Sequence, residues 1–320
     1  YPWSGWEANP LQGIITITLP FFALIACGWL AGRRQILSEP GIAGLNAFVF
    51  YFALPCLIFS SLASRHVADI ANPSFMLAYG AAGLFMFAAT ATVGHLLFKT
   101  TLGESALLGQ AGSVGNVGYL ALPLIIALLG EAATLPVVLG WLVDLVVLVP
   151  LSIALLEIDR HDTGASADFV RTVVRGVALN PFVLSIAAGV LWSAGGLTLP
   201  APVESFTSLL GRAAGPAALF ALGATLSQRK MADAMVEAAY MSAAKLFVYP
   251  AVMWGTMTQI FQIEPLWATA AVLTAAAPVA GNVYIIASSF GVYVLRSSTA
   301  ILISTALAVL SFSGLVAFLI

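Results

Sequence analysis

Ten runs of about twenty apolar residues fill most of this chain and leave little between them. They cover roughly 11–31, 41–63, 74–98, 105–129, 132–156, 177–194, 203–226, 236–260, 266–290 and 296–319. A run of that length is what a helix needs to cross a bilayer. Composition agrees: 61% of the 320 residues are hydrophobic and 8% are charged, against about 25% charge in soluble domains. The sequence therefore predicts an all-α polytopic membrane protein with ten transmembrane helices and little soluble part. A net charge of −2 gives no broad attraction to nucleic acid.

The links between runs are short except 157–176, EIDRHDTGASADFVRTVVRG, which divides the chain into five runs at 11–156 and five at 177–320. Lys and Arg in the links set orientation. With the first run entering from outside, the inner links hold Arg33, Arg34, Lys99, Arg160, Arg171, Arg175, Arg229, Lys230 and Arg296, and the outer links hold Arg65 alone. Nine against one predicts both termini on the non-cytoplasmic side. The opening YPWSGWEANP lacks the basic residues of a signal peptide, and Trp3 and Trp6 suit a membrane interface. The tail of the long link, DFVRTVVRG, reads as a short basic amphipathic helix for the membrane surface.

The two halves share landmarks. Pro20 and Pro181 are 161 residues apart, as are Pro55 and Pro216, while Asn116 and Asn282 are 166 apart. Five runs per half is an odd number, so the second half enters from the opposite side. That is the inverted repeat of many secondary transporters.

The tripeptide GNV occurs twice, at 115–117 and 281–283, midway along the fourth and ninth runs. Gly112, Gly115, Gly118 and Pro123 accompany the first copy, and Pro278 and Gly281 the second. Such residues interrupt the helical ladder, and lipid tolerates an interruption only where protein or a watery cavity satisfies the freed groups. Each break ends one half-helix and starts another. The starting ends carry partial positive charge and oriented N–H groups, which suit an anion. Asn116 and Asn282 can cap the freed backbone or contact a ligand. Tyr119 and Tyr284 follow the breaks directly and can close over a ligand or simply pack.

Charge inside the runs is scarce. Asp144 lies near the middle of the fifth run, where a carboxylate costs about 2.5–3.5 kcal/mol to insert. Such residues usually face a cavity, and burial favours the proton-bearing form of a carboxyl group. Asp144 is thus a candidate proton carrier, or one half of a static pair with Lys245 in the eighth run. Lys245 is alternatively a guide for an anion. Arg212 in the seventh run lines a substrate path or snorkels to headgroups. Gln110 and Ser113 are weaker polar candidates, His95 reads as packed or interfacial, and Asn180 as the cap before Pro181. The histidines at 66, 95 and 161 are scattered, Cys27 and Cys56 have no zinc or disulfide spacing, and nucleotide-loop and nucleophile-elbow motifs are missing. No metal, cofactor or enzymatic chemistry is expected.

Several segments together resemble the auxin efflux carrier family. They are GNVGYLALPL and APVAGNVYIIASSFG at the breaks, FALPCLIFSSLA at 52–63, ALNPFVLSIAAG at 178–189 and GPAALFALGATL at 215–226. The resemblance runs from about residue 14 to 318 and is strongest to bacterial malonate-transporter-like members. It implies the ten-helix fold of bile-acid symporters. Helices one, two, six and seven (11–63 with 177–226) would form a scaffold, and helices three to five and eight to ten (74–156 with 236–320) a mobile transport domain. Helices four and nine would cross at their breaks, and the protein would pair as a homodimer through its scaffold. Plant members carry a large central loop; the short one here suggests a compact bacterial, inner-membrane member and argues against auxin as substrate.

These readings converge on elevator-type transport of a small organic carboxylate, linked to protons or driven by potential. Substrate contacts are expected from Asn116, Asn282, Gly115, Gly118, Tyr119, Gly281, Tyr284 and Arg212, with Pro123 and Pro278 shaping the crossing and Asp144 and Lys245 coupling a proton. A sodium-coupled symporter of the same fold is one rival, weakened by the lack of an acid beside the second break. A membrane-embedded receptor that binds without transporting is another.

Overall fold

The computed structural model describes residues 10–65, 70, 72–160, 167–229 and 235–319. Trp3, Trp6, His66, His161 and Lys230 lie outside these. The described residues form helices α1 (Pro10–Arg33), α2 (Glu39–Ala63), α3 (Pro73–Phe98), α4 (Leu102–Ser113), α5 (Val117–Leu129), α6 (Glu131–Arg160), α7 (Ala167–Ala178), α8 (Pro181–Ala194), α9 (Ala201–Ser227), α10 (235–260), α11 (Pro265–Ala275), α12 (Gly281–Phe290) and α13 (Val294–Leu319). Five of them, α2, α3, α6, α9 and α13, are each long and apolar enough to cross a membrane. Shorter apolar helices are α5, α8, α11 and the Thr18–Arg33 part of α1.

Local chemistry sets the ends. Thr101 and Glu104 form a reciprocal capping box that opens α4. Asn72 takes the Phe75 N–H at the start of α3. The fourth and ninth apolar runs are each divided where the sequence predicts a break. The sixth run, read over 177–194 with Asn180 as the cap before Pro181, forms its helix from Pro181, and the tail of the long link forms the separate short helix α7 over 167–178. Pro181 has no N–H to continue a ladder, and the Asn180 side chain accepts the Phe182 N–H at 2.9 Å, as a cap should. At about 1.5 Å per residue, the 14 residues of α8 are shorter than a hydrocarbon core.

Small residues decide which helices touch, because lipid tails are as apolar as the side chains and close backbone approach is what holds membrane helices together. At the α1–α9 crossing, a Cβ on Gly28 would fall 2.0 Å from the Phe220 carbonyl oxygen, and one on Gly223 would fall 1.9 Å from that of Ile25. Asn46 of α2 donates to Thr225 of α9 at 3.0 Å, and α8 packs along the later half of α2. Helices α1, α2, α8 and α9 thus make one packed group. A second group comprises α3, α4, α6, α10, α11 and α13. Tyr240 of α10 donates to the Thr90 carbonyl of α3 at 2.8 Å, Arg296 of α13 pairs with Glu237 of α10 at 2.9 Å, and Phe75 of α3 packs edge-on to Trp267 of α11.

Candidate functional site: the crossing of two interrupted helices

The two breaks meet. The backbones of Gly115 and Val279 form a single antiparallel bridge. Asn116 N–H donates to the Pro278 carbonyl at 2.8 Å, and Ala280 N–H to the Val114 carbonyl at 3.3 Å. Val279 N–H donates to Ser304 Oγ of α13 at 3.1 Å. Each interruption therefore supplies partners for the other, which is how broken backbone survives away from water. Pro278 suits this place because it has no N–H to satisfy and offers its carbonyl. At Asn116 the chain turns through an inverse γ-turn (φ −76°, ψ 69°), closed by Val117 N–H on the Gly115 carbonyl at 2.8 Å.

What the crossing leaves unpaired is equally definite. Among the described residues, the N–H groups of Gly118 and Tyr119 at the start of α5, and of Gly281 and Asn282 at the start of α12, have no acceptor. Neither asparagine side chain caps its helix. Asn282 Oδ1 is buried without a partner, and the Asn116 amide makes no hydrogen bond among the described residues while the residue is 9% exposed. Two primary amides and four oriented N–H donors are thus held at the positive ends of two helices, ready for an acceptor-rich ligand.

The remaining residues predicted for the site divide. A Cβ on Gly115 would lie 3.0 Å from Lys245 Nζ, so the missing side chain makes room for the lysine. The Cα of Gly118 faces Trp141 and Leu54, which leaves its N–H as what it can offer a ligand. Gly281 faces open space. Pro123 packs against Gly215 of α9. Tyr119 donates to the Asn46 carbonyl of α2 at 3.4 Å, and the Tyr284 ring lies under the Arg229 guanidinium at 3.9 Å. Both tyrosines therefore reach the α1–α2–α8–α9 group. Arg212 stands exposed on α9 and makes no hydrogen bond or ion pair among the described residues; no such contact ties it to the crossing.

Asp144 and Lys245 are both fully buried, and each lies in a π-helical turn, Asp144–Leu148 and Ala244–Val248, a distortion frequent at functional sites. No ion pair joins them among the described residues, so the static pair is not formed directly. Lys245 instead donates to the Ala275 carbonyl at the end of α11 and lies 4.7 Å from the Tyr249 ring centroid. Its charge thus complements the negative end of α11 at the crossing. Asp144 Oδ2 accepts from Tyr79 at 3.5 Å, while Oδ1 has no partner. Gln110 accepts from Ser152 at 2.9 Å and keeps an unpartnered Nε2. Ser113 bonds the Gly109 carbonyl, and His95 packs onto the Thr100 carbonyl. Sequence reasoning missed Tyr79, Tyr249 and Arg229. One signal was available for Tyr79: it precedes Lys245 by 166 residues, the same offset as the two asparagines.

The family model described as membrane transport protein matches residues 14–316. The chain belongs to that family. This is the auxin efflux carrier family suggested by the segments at the two breaks. Among the relatives of this membrane transport protein is a Rhizobium meliloti (strain 1021) protein named "Putative malonate transporter", 33% identical over 304 residues and 94% of both chains. Another is the Escherichia coli (strain K12) uncharacterized transporter YfdV, 27% identical over 92% of both. The mouse lysosomal cholesterol signaling protein is 25% identical over 72% of this chain but only 28% of its own length.

Proposed function

We propose that this membrane transport protein is a secondary transporter for a small organic carboxylate, malonate being the first to test, and that the ligand binds at the crossing. One observation carries the reading. Asn116 and Asn282 cap nothing and are unpartnered beside four free N–H groups. Asparagines that merely finished a kink would bond the backbone they interrupt. The anion is also the choice favoured by Lys245, a buried cation in contact with Gly115. Sodium is disfavoured, because the ammonium already takes the Ala275 carbonyl that a cation would seek.

The helices form two inverted five-helix repeats in this reading. The group α1, α2, α8 and α9 is the scaffold, and the other helices with the crossing are the transport domain, which moves as an elevator. The scaffold pairs two copies in the inner membrane, with both termini on the non-cytoplasmic side. Support comes from how few polar contacts join the two groups, which otherwise meet through apolar surface such as the Trp141–Phe182 contact. Asp144 carries a proton in this scheme; without one, the potential supplies about 2.3 kcal/mol per charge per 100 mV.

The test is counterflow of labelled malonate in proteoliposomes. Exchange that is saturable and unaffected by replacing Na⁺ with choline is expected. Binding without exchange across the bilayer would make the protein a receptor and end the transport reading. Exchange that requires Na⁺ would move it to the sodium-coupled class.

A further inference from the structure

Arg229 lies two residues beyond the end of α9, on the scaffold side, and has no role in the mechanism described so far. Its guanidinium is 3.9 Å above the ring of Tyr284, in the first turn of α12. Its Nε is buried without a hydrogen-bond partner. Among the described residues no carboxylate pairs with it. Burial pulls its pKa below the ordinary arginine value, and the neighbouring Tyr284 opposes that only in part. A partly buried cation with a spare donor and no counter-ion among the described residues is costly to keep. Here an aromatic face stands where an anion would.

The surroundings indicate which anion. Tyr284 and Gly281 are three residues apart on one face of α12, and beyond the Cα of Gly281 there is open space. Through Tyr284, Arg229 is thus held against the same turn of α12 that carries the unpaired N–H groups of Gly281 and Asn282. We propose that Arg229 is a second substrate-binding residue, which receives the carboxylate from the face at the α9 end, exchanging the Tyr284 ring for a charge-assisted hydrogen bond before the anion reaches the crossing. The inference rests on the carboxylate-transport reading. It adds an asymmetry, since Arg229 serves one membrane face only.

The experiment uses the full-length protein, reconstituted with known sidedness, and malonate as probe. In Arg229→Gln, KM for malonate offered at the Arg229 face should rise about ten- to a hundredfold, the worth of one hydrogen bond to a charged group. KM at the opposite face should change by less than about twofold. Arg229→Lys, which keeps the charge but loses the fork geometry, should fall between; it also serves if the glutamine variant fails to fold. In parallel, malonate should protect Arg229 of the detergent-solubilised wild type from phenylglyoxal, read by peptide mass spectrometry. Protection without any wild-type exchange would overturn the transport reading and leave Arg229 as a binding residue. Wild-type exchange with unaltered KM at both faces and no protection would overturn the role of Arg229. Absence of both exchange and protection would overturn both.

Discussion

Asn116 stands at the cap position of α5 and Asn282 in the first turn of α12, and neither side chain does the work of a cap. Removing their amides therefore costs the fold little and the ligand much. Asn116→Ala or Asn282→Ala should each lower kcat/KM for malonate by about tenfold or more, one hydrogen bond to a charged group, with a melting temperature in detergent within about 2 °C of wild type. Unchanged flux in both variants would take the crossing out of the mechanism. Asp144 offers a second residue-scale test. Its hydrogen-bond partner is Tyr79, and if it carries the coupling proton, Asp144→Asn should flatten the pH dependence of exchange. An unaltered pH profile would place the proton elsewhere. The asparagines were legible in the sequence because the tripeptide repeats at matched depth. Tyr79 left one trace, its 166-residue offset from Lys245; Tyr249 and Arg229 left none, because a tyrosine in an apolar run carries no mark of what it faces, and an arginine at a run's end looks like any link charge until its neighbours are known.

At the scale of elements, close backbone approach does what apolar burial does in water. Gly223 of α9 shows it most sharply, with the Ile25 carbonyl 1.9 Å from where a Cβ would lie. Gly223→Leu cannot be absorbed by a side-chain rotation, since backbone blocks it. It should destabilise by about 1–3 kcal/mol or more, read as a lower melting temperature and loss of a monodisperse peak in size-exclusion chromatography. Gly314→Ala on α13, with nothing within 4 Å of the new Cβ, should be neutral or slightly stabilising. Equal behaviour of the two variants would refute the packing argument. Helix ends elsewhere matched the apolar runs within a few residues, because apolar length and proline placement fix them. The sixth run, read over 177–194, starts about one turn later at Pro181, where the Asn180 cap already marks a beginning, and the basic DFVRTVVRG before it forms the separate helix its pattern suggests.

At the scale of the molecule, elevator transport requires the scaffold and the crossing to slide past one another, so a covalent bond between them must stop it. Gly215 of α9 and Pro123 of α5 provide the site. A Cβ on Gly215 would lie 3.4 Å from that of Pro123, close to the separation found in disulfides. With Cys27 and Cys56 replaced by serine, a Gly215→Cys, Pro123→Cys pair should cross-link on mild oxidation and abolish malonate counterflow. Reduction should restore whatever flux the reduced variant has, which separates the lock from any damage done by losing the proline. A control pair placed at Asn46 and Thr225, which bond each other inside the scaffold at 3.0 Å, should cross-link and leave exchange running, because that contact does not open in the cycle. If the locked Gly215–Pro123 pair exchanges malonate at the reduced rate, the two groups do not slide, and the anion must pass between them by local opening around Tyr119 and Tyr284.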